Sequence, residues 1–568
     1  MIFINFIKKN EKNINFWLIF SIIFYPIIFI WQCGDLTDTG FVAYIYQNYF
    51  ENIKVNQIFA PTFLTDIIGA IWFKMFPNLG ILGLKLLYLL FLYPLIYFVY
   101  LILKPFSNNK TILYFVIFCG IIFQERCFNL VYGKDISCWF FLVICGYLFI
   151  NAIEKENNKL FLFSGALLLI ACLCRLTSIV GVILFPLILF YKTLYKEEKN
   201  YLKQFKLIFK NYLFFLLGFI LSFILFLTIL NFFNLLDVFL NNFDTVGQLS
   251  KKSYSLSILI YTFFYEFIYF IPSIIIVVLF LKLSSIIYSF SLKRNNFIYF
   301  VIYSISILYL ICYLDRNYDY SHTIKFLAPA FCFIPQLFSL LKKDKFSTTV
   351  LVGIMIAVSQ VFGTNTGFFL KLLYGFIILF PLTILILSNY SKIGYKKFNF
   401  LTLPYSLTGT FIIVFLSLMI RLFCIYNVSN AKDSRLKSVF CINNPKMKGI
   451  LTTKENAKHI EDLCAAIENS INKDNSLFIY GHQPMFYFLI NSKPTIENLW
   501  MTNNQHEPGE LFMSINENIK KTKKWPLIVD TKGKVLNEEG EIALKIFLKS
   551  NNYICKISKP DFNIWVKN

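Results

Sequence analysis

Apolar runs of about 20 residues recur from Phe16 to Tyr426, and they constrain the fold of this chain more than any other feature. A helical run of that length matches the ~30 Å hydrocarbon core of a bilayer. Irregular backbone cannot face lipid, and the runs are too long for the strands of a membrane barrel. Charged residues make up 15% of the chain, whereas roughly 25% is usual for soluble proteins. The sequence therefore predicts a polytopic α-helical membrane protein.

About thirteen transmembrane helices are predicted. They cover residues 15–31, 80–103, 111–125, 135–153, 160–175, 176–191, 211–233, 258–281, 297–314, 326–341, 347–362, 368–389 and 402–425. The run at 160–191 is too long for one span and carries Arg175 midway. We therefore interpret it as a helical hairpin that turns at the outer membrane surface.

Basic clusters separate alternate spans and predict the orientation of the chain. Clear examples are Lys192–Lys210, Lys342–Lys345 and Lys392–Lys397. The positive-inside rule places these connections in the cytoplasm, with the N-terminus inside and the C-terminus outside. The net charge of +22 then has a topological origin, and we expect membrane lipids rather than nucleic acid as the chain's surroundings.

The first external loop, Gln32–Leu79, is unusually long. Its segments Thr39–Asn52 and Pro61–Phe76 combine helical apolar spacing with aromatic and scattered polar residues. This pattern is typical of helices that lie along the membrane interface rather than across it.

Composition changes sharply after Tyr426, which divides the chain into domains 1–426 and 427–568. The tail contains two short strand-like runs and two amphipathic helical runs, namely Leu477–Tyr480, Pro526–Val529, Lys454–Ile471 and Glu538–Leu548. Alternation of this kind predicts a small C-terminal extracytoplasmic α/β domain.

The chain has 13 cysteines, but most lie inside predicted spans, where a thiol is a small apolar side chain. The tail holds Cys441, Cys464 and Cys555. One disulfide could form there, although an odd count argues against a disulfide framework. No CxxC or HExxH spacing indicates a structural zinc site or a zinc protease.

Acidic side chains concentrate on the predicted external side. They are Asp35, Asp38, Asp66, Glu125, Asp135, Asp237, Asp244, Asp315 and Asp319. Most of them are explained as solvated loop residues, but Asp35 and Asp38 directly follow the first span and precede an interfacial helix. A carboxylate at this boundary could remove a proton from an acceptor hydroxyl or amine, or could hold a divalent ion.

The segment Asp38-Thr39-Gly40-Phe41-Val42-Ala43-Tyr44-Ile45-Tyr46-Gln47-Asn48 resembles the first-loop acidic motif of the GT-C membrane glycosyltransferases. Asp38 matches the Asp of that motif, and Thr39 stands where Glu is usual. A Pro-containing segment follows in the family, and Ala60-Pro61-Thr62 matches it.

Three more segments match the family in the expected order. They are Gly165-Ala166-Leu167 with Leu173-Cys174-Arg175-Leu176-Thr177, Lys325-Phe326-Leu327-Ala328-Pro329, and Ile479-Tyr480-Gly481-His482-Gln483-Pro484. In the second, Lys stands where the family has Arg or His. The resemblance covers the whole chain, and the nearest branch is the bacterial one related to protein mannosyltransferases and lipid A aminoarabinose transferases.

This resemblance implies a GT-C-like fold and a site on the outer face of a bacterial cytoplasmic membrane. The implied reaction moves a sugar, with inversion, from a polyprenyl-phosphate donor to a lipid, glycan or protein acceptor. Asp38 is the implied general base, and Asp35 or Asp135 would assist it. Asp135 is also explained as the N-cap of a helix.

The leaving group of such a reaction is a lipid phosphate, so cations must stabilise its growing charge at the membrane boundary. Arg175, Lys325, Arg126 and Lys134 are available at that level, and His322 could donate to the phosphate. Arg175 is the most informative, because a charge inside an apolar hairpin costs about 2.5–3.5 kcal/mol on insertion scales. Snorkelling to the headgroups would also explain it.

Two other functions stay open. A transporter or flippase should have inverted halves, broken helices and acids at mid-span, none of which is clear here. A polysaccharide polymerase or ligase would share the lipid carrier but not the first-loop motif. The sequence leaves the metal requirement unknown; a divalent cation is compatible with the loop acids.

Overall fold

The structure is a computed structural model, and not every residue is described. It describes residues 10–32, 35–51, 61–124, 130–194, 201–241, 257, 260–268, 270–275, 320–342, 346–359, 361, 368–372, 375–392, 437–471, 476–481, 483–496, 499, 508–532 and 538–568. The predicted spans at 297–314 and 402–425 lie outside these residues, as does Arg126.

Helices make up the described part of the first domain. Their bounds are α1 (Glu11–Ile30), α2 (Asp38–Asn48), α3 (Phe63–Met75), α4 (Gly80–Leu103), α5 (Lys110–Gln124), α6 (Lys134–Lys155), α7 (Asn158–Cys174), α8 (Gly181–Leu194), α9 (Tyr201–Phe232), α10 (Tyr320–Lys342), α11 (Ser347–Ser359), α12 (Phe368–Leu372) and α13 (Phe376–Lys392). The two helices predicted in the first external loop are confirmed as α2 and α3.

Within the described residues, four helical segments are long and apolar enough to cross a membrane. They are Glu11–Ile30, Pro77–Phe106, Lys134–Lys155 and Leu202–Phe232. Seven shorter apolar helices of 10–17 residues fall at other predicted spans. The count of thirteen spans therefore stays a prediction.

The long helices differ in how deeply they are packed. In the most apolar stretch of α6, 67% of the residues are buried inside the protein. In the corresponding stretch of α9, only 17% are buried. Large side chains such as Phe232, which is 79% exposed, and Leu225, which is 61% exposed, cover α9. So much exposed apolar surface is typical of a helix that meets lipid.

Helices α7 and α9 cross at reciprocal glycines. A Cβ at Gly165 would lie 1.9 Å from the Phe215 carbonyl oxygen, and one at Gly218 would lie 1.9 Å from that of Leu162. Only glycine fits at these two positions, and small residues are what allow membrane helices to approach this closely. This crossing holds the α7–α8 hairpin against the bundle.

The tail contains both helices and strands, as the sequence predicted. Its helices are α14 (Lys454–Glu468), α15 (Met485–Ile490), α16 (Pro508–Thr522) and α17 (Glu538–Ser550), and its strands are β1 (Phe440–Cys441), β2 (Leu451–Thr452), β3 (Leu477–Tyr480), β4 (Leu527–Asp530), β5 (Tyr553–Ser558) and β6 (Asn563–Lys567). The main sheet has the order β3-β4-β6-β5. The pair β3–β4 is parallel and the other two pairs are antiparallel.

The C-terminal domain packs directly on the helical domain. The Leu451 N–H donates to the Trp31 carbonyl oxygen at the end of α1, with 2.6 Å between N and O. The ring of Trp31 lies under Gly449, 3.6 Å from where a Cβ would be. The three tail cysteines, Cys441, Cys464 and Cys555, are free thiols, so the optional disulfide does not form.

Candidate active site

Two of the predicted site residues form an ion pair. The Arg175 guanidinium contacts the Asp135 carboxylate, and the two side chains are 7% and 30% exposed. Asp135 lies in the first turn of α6, while Arg175 follows α7 in extended conformation (φ −158°, ψ 109°). The hairpin therefore breaks where the sequence predicted, and the break turns the buried arginine toward the start of α6.

Helix α3 of the first external loop packs against the ends of the two helices that hold this ion pair. The Thr65 hydroxyl lies 2.7 Å from the Ser137 hydroxyl on α6 and donates to the Cys174 carbonyl oxygen at 3.1 Å. Thr65 and Ser137 are both buried. Since these contacts join the end of α7, the start of α6 and the loop helix, the loop lies over the hairpin break.

A buried carboxyl group, Asp66, lies in the first turn of α3 and is 4% exposed. The Thr62 hydroxyl donates to it over 2.9 Å. Burial raises the pKa of Asp66 well above its ordinary value, and the Thr62 hydrogen bond and the positive charge of Lys134 oppose this only in part. Burial also raises the pKa of Tyr49, the residue that follows α2, and the nearby Asp66 adds to the effect.

Asp35 is held firmly in the turn before α2. Its carboxylate accepts hydrogen bonds from the Thr37 N–H (3.0 Å), the Thr37 hydroxyl (2.6 Å) and the Thr39 N–H (3.3 Å). The side chain is 3% exposed. These bonds satisfy backbone N–H groups at the helix start that would otherwise lack partners, so Asp35 fixes the conformation of the loop that carries Asp38.

Asp38 is the first residue of α2 and is exposed. A carboxylate there is also favoured by the positive end of the helix dipole. It lies eight residues before Tyr46, whose pKa is raised by burial and by Asp66. At 1.5 Å per residue this puts about 12 Å of helix axis between Asp38 and Tyr46. Asp66, which also interacts with Lys134, therefore lies near the end of α2, whereas Asp38 lies at its start.

Of the other predicted cations, Lys134 lies on α6, and His322 and Lys325 lie on α10. Lys134 is exposed at the first position of α6, beside Asp135. His322 and Lys325 fall in the first two turns of α10, where only the backbone is described. Arg126 lies outside the described residues.

Sequence reasoning gave no role to two buried ionisable residues of this region. The sequence pattern grouped Asp66 with the other acids predicted on the external side. Lys85 in α4 is fully buried and donates to the Gln32 carbonyl oxygen at 2.7 Å, at the end of α1. A lysine within an apolar run is expensive in a membrane, and that signal would have marked Lys85. No comparable signal marks Asp66, because burial of α3 depends on the tertiary packing.

No metal centre is visible in the described part of the chain, where no group of three or more His, Cys, Asp or Glu side chains could hold an ion. What the described side chains can do is acid–base and anion chemistry. An exposed carboxylate at Asp38 can accept a proton. The exposed ammonium of Lys134 beside the Arg175–Asp135 pair can stabilise an anion.

Comparison with known proteins gives a weak structural likeness. No protein-family model matches the sequence, and no curated protein matches it. A solved structure that is similar is the oligosaccharyltransferase of Archaeoglobus fulgidus, crystallised in complex with zinc and sulfate. The identity is 11% and the TM-score 0.48, over 91% of this chain and 68% of that one. At this identity and TM-score, the likeness assigns neither fold nor activity.

Proposed function

We propose that this protein is a membrane glycosyltransferase that moves a sugar from a polyprenyl-phosphate donor to an acceptor on the extracytoplasmic face of a bacterial cytoplasmic membrane. The observation that carries the proposal is the gathering of Lys134, Asp135 and Arg175 beneath the first external loop. Within the described residues, four apolar helices are long enough to span a membrane, so a lipid-linked donor held in the bilayer can reach these side chains.

In the proposed reaction, Asp38 is the general base and takes the proton of the acceptor hydroxyl or amine. The freed electron pair forms a bond to the anomeric carbon, while the bond from that carbon to the phosphate oxygen breaks with inversion. The electron pair of the broken bond goes to the phosphate. Stabilisation of developing charge by fixed cations is commonly the largest catalytic contribution.

Lys134 and Arg175 are the cations proposed to stabilise the phosphate, together with Arg126, Lys325 and His322. Asp135 orients Arg175 through the ion pair. Asp35 keeps Asp38 in position through its three hydrogen bonds within the turn.

The test replaces Asp38 with Asn and measures sugar transfer from defined polyprenyl-phosphate donors, with glycan and lipid profiling of cells that carry or lack the gene. Loss of a general base should lower the transfer rate about 100-fold or more. Glu51→Gln, an exposed acid of the same loop, is the matched control and should keep wild-type activity.

Full activity of Asp38→Asn would overturn the base assignment. If essential residues were then found in a late external loop, a polymerase or ligase of surface polysaccharide would replace this proposal. Absence of any glycan change between cells with and without the gene would overturn the transferase itself.

A further inference from the structure

Helix α2, which carries Asp38, lies between the helical domain and helix α15 of the C-terminal domain. Near its start, the Met485 N–H donates to the Leu36 carbonyl oxygen at 3.1 Å. A Cβ at Gly40 would lie 2.3 Å from the Met485 backbone. Further along, the rings of Tyr44 and Tyr487 meet edge to face with centroids 6.0 Å apart. The C-terminal domain thus contacts α2 along its length.

Lys446 binds the C-terminal end of α2 to the C-terminal domain. Its ammonium donates to the Gln47 side-chain oxygen at 2.9 Å and to the Phe488 carbonyl oxygen. It also lies 4.7 Å from the centroid of the Phe488 ring. The Gln47 amide nitrogen in turn donates to Asn491. Both ends of the Gln47 side chain are therefore bound to the C-terminal domain.

The backbone of Lys446 is anchored as firmly as its side chain. A Cβ at Gly80, the first residue of α4, would lie 2.1 Å from the Lys446 carbonyl oxygen, and Gly80 has φ +52°. The Asn444 side chain accepts a hydrogen bond from the Lys446 N–H at 2.9 Å. Lys446 consequently joins α2, α4 and α15 at one point.

The contacts of Lys446 indicate a structural task. Its partners among the described residues are an amide oxygen, a carbonyl oxygen and an aromatic ring, and no carboxylate is among them. Burial without an acidic partner lowers its pKa to about 8. Hydrogen bonds to a charged donor are among the stronger ones in proteins, so losing this one should loosen α2.

We infer that the C-terminal domain is a positioning element for the first external loop, and that Lys446 is its positioning residue. This inference rests on the proposed function for its catalytic consequence, because it is Asp38 that α2 carries. The ordering of α2 by Lys446 does not depend on the proposed function.

The test is amide hydrogen exchange of the purified full-length protein in detergent, read over residues 36–49. Lys446→Met keeps the aliphatic stem and removes the donor, so α2 should exchange about tenfold faster as its local opening becomes easier. Lys446→Arg should restore slow exchange. Lys448→Met, an exposed lysine of the same segment, should match the wild type.

Unchanged exchange of α2 in Lys446→Met would overturn the inference. Exchange in α14 reports whether the C-terminal domain remains folded. If Lys446→Met unfolds that domain, Gln47→Leu decides, since it removes the same hydrogen bond from the helical side. Faster exchange in α2 with α14 unchanged supports the inference, and wild-type exchange in α2 contradicts it.

Transfer activity separates this inference from the proposed function. If the wild type transfers sugar, Lys446→Met should lower kcat more than it raises the KM for the donor, because α2 carries the base and not the donor cations. If the wild type transfers none, the proposed function fails, while the exchange experiment still decides the role of Lys446.

Discussion

At the scale of single residues, three aspartates of one loop have three different environments. Asp35 is buried and accepts hydrogen bonds from two backbone N–H groups and a hydroxyl. Asp38 is exposed at a helix start. Asp66 is buried, with Thr62 as a hydrogen-bond donor. The same residue type therefore fixes a turn at Asp35, is a candidate base at Asp38 and is a buried acid at Asp66.

The buried acid gives a pH-dependent stability. Burial raises the pKa of Asp66 well above its ordinary value, so the folded state binds a proton that the unfolded chain has lost. Above about pH 4, where an unfolded aspartate ionises, the free energy of unfolding contributed by Asp66 therefore falls as pH rises through the raised folded value.

Asp66→Asn removes this dependence. Its melting temperature relative to wild type should therefore increase from about pH 5 to about pH 8, by about 2–4 °C, when unfolding in detergent is followed by intrinsic fluorescence. Asp237→Asn, at an exposed aspartate, is the control and should show a constant difference. A constant difference for Asp66→Asn as well would refute the role of burial.

At the scale of elements, the α7–α8 hairpin shows how one charge shapes a helix pair. The apolar run could continue as one long helix, but Arg175 inside it would then need a partner within the bilayer. The break after Cys174 and the 3₁₀ turn Leu176–Val180 instead bring Arg175 to Asp135 at the start of α6. The ion pair joins two residues that are 40 positions apart in sequence.

Breaking this pair should destabilise the helical domain. Arg175→Met leaves the Asp135 carboxylate without its cation. We expect a loss of about 1–3 kcal/mol, less than the 3–5 kcal/mol typical of fully buried pairs, because Asp135 is 30% exposed. Unfolding in mixed micelles measures this loss.

The double variant Arg175→Met/Asp135→Asn should recover at least half of that stability, because the carboxylate that lost the Arg175 cation is then replaced by a neutral amide. Lys155→Met, an exposed lysine at the other end of α6, should be neutral. Additive losses in the double variant would show that the two side chains do not interact.

At the scale of the whole molecule, the C-terminal domain and the first external loop must lie on the same side of the membrane, since they pack together. The positive-inside rule predicts that this side is extracytoplasmic. The C-terminal domain has free thiols that differ in solvent exposure: Cys441 and Cys555 are exposed, and Cys464 is buried. Chemical labelling of these cysteines can therefore report the orientation of the protein in the membrane.

A membrane-impermeant maleimide should label Cys441 and Cys555 in intact spheroplasts, and Cys464 only after denaturation. Cys145, buried within α6, should stay unlabelled until the membrane is dissolved and the protein unfolded. Mass spectrometry of the labelled peptides gives the result. Labelling of Cys441 and Cys555 only after the membrane is made permeable would reverse the predicted orientation.

Patterns along the chain were enough to predict most of the local structure. Apolar runs of sufficient length predicted α1, α4, α6 and α9, because a helix that meets lipid must satisfy its own backbone hydrogen bonds and cover itself with apolar side chains. Amphipathic spacing predicted α2 and α3, and alternation of strand and helix signals predicted the C-terminal domain. These features depend on neighbours in sequence, so the sequence displays them directly.

Local residue patterns were thus enough to predict which segments are helical, where the long hairpin breaks and which charges lie near its turn. The pairing of Arg175 with Asp135, the burial of Asp66 and the contact of Lys446 with Gln47, 399 residues away, follow from three-dimensional packing. The physical reason is that burial and ion pairing are set by whichever side chains packing brings together in space, and spacing along the chain does not record them.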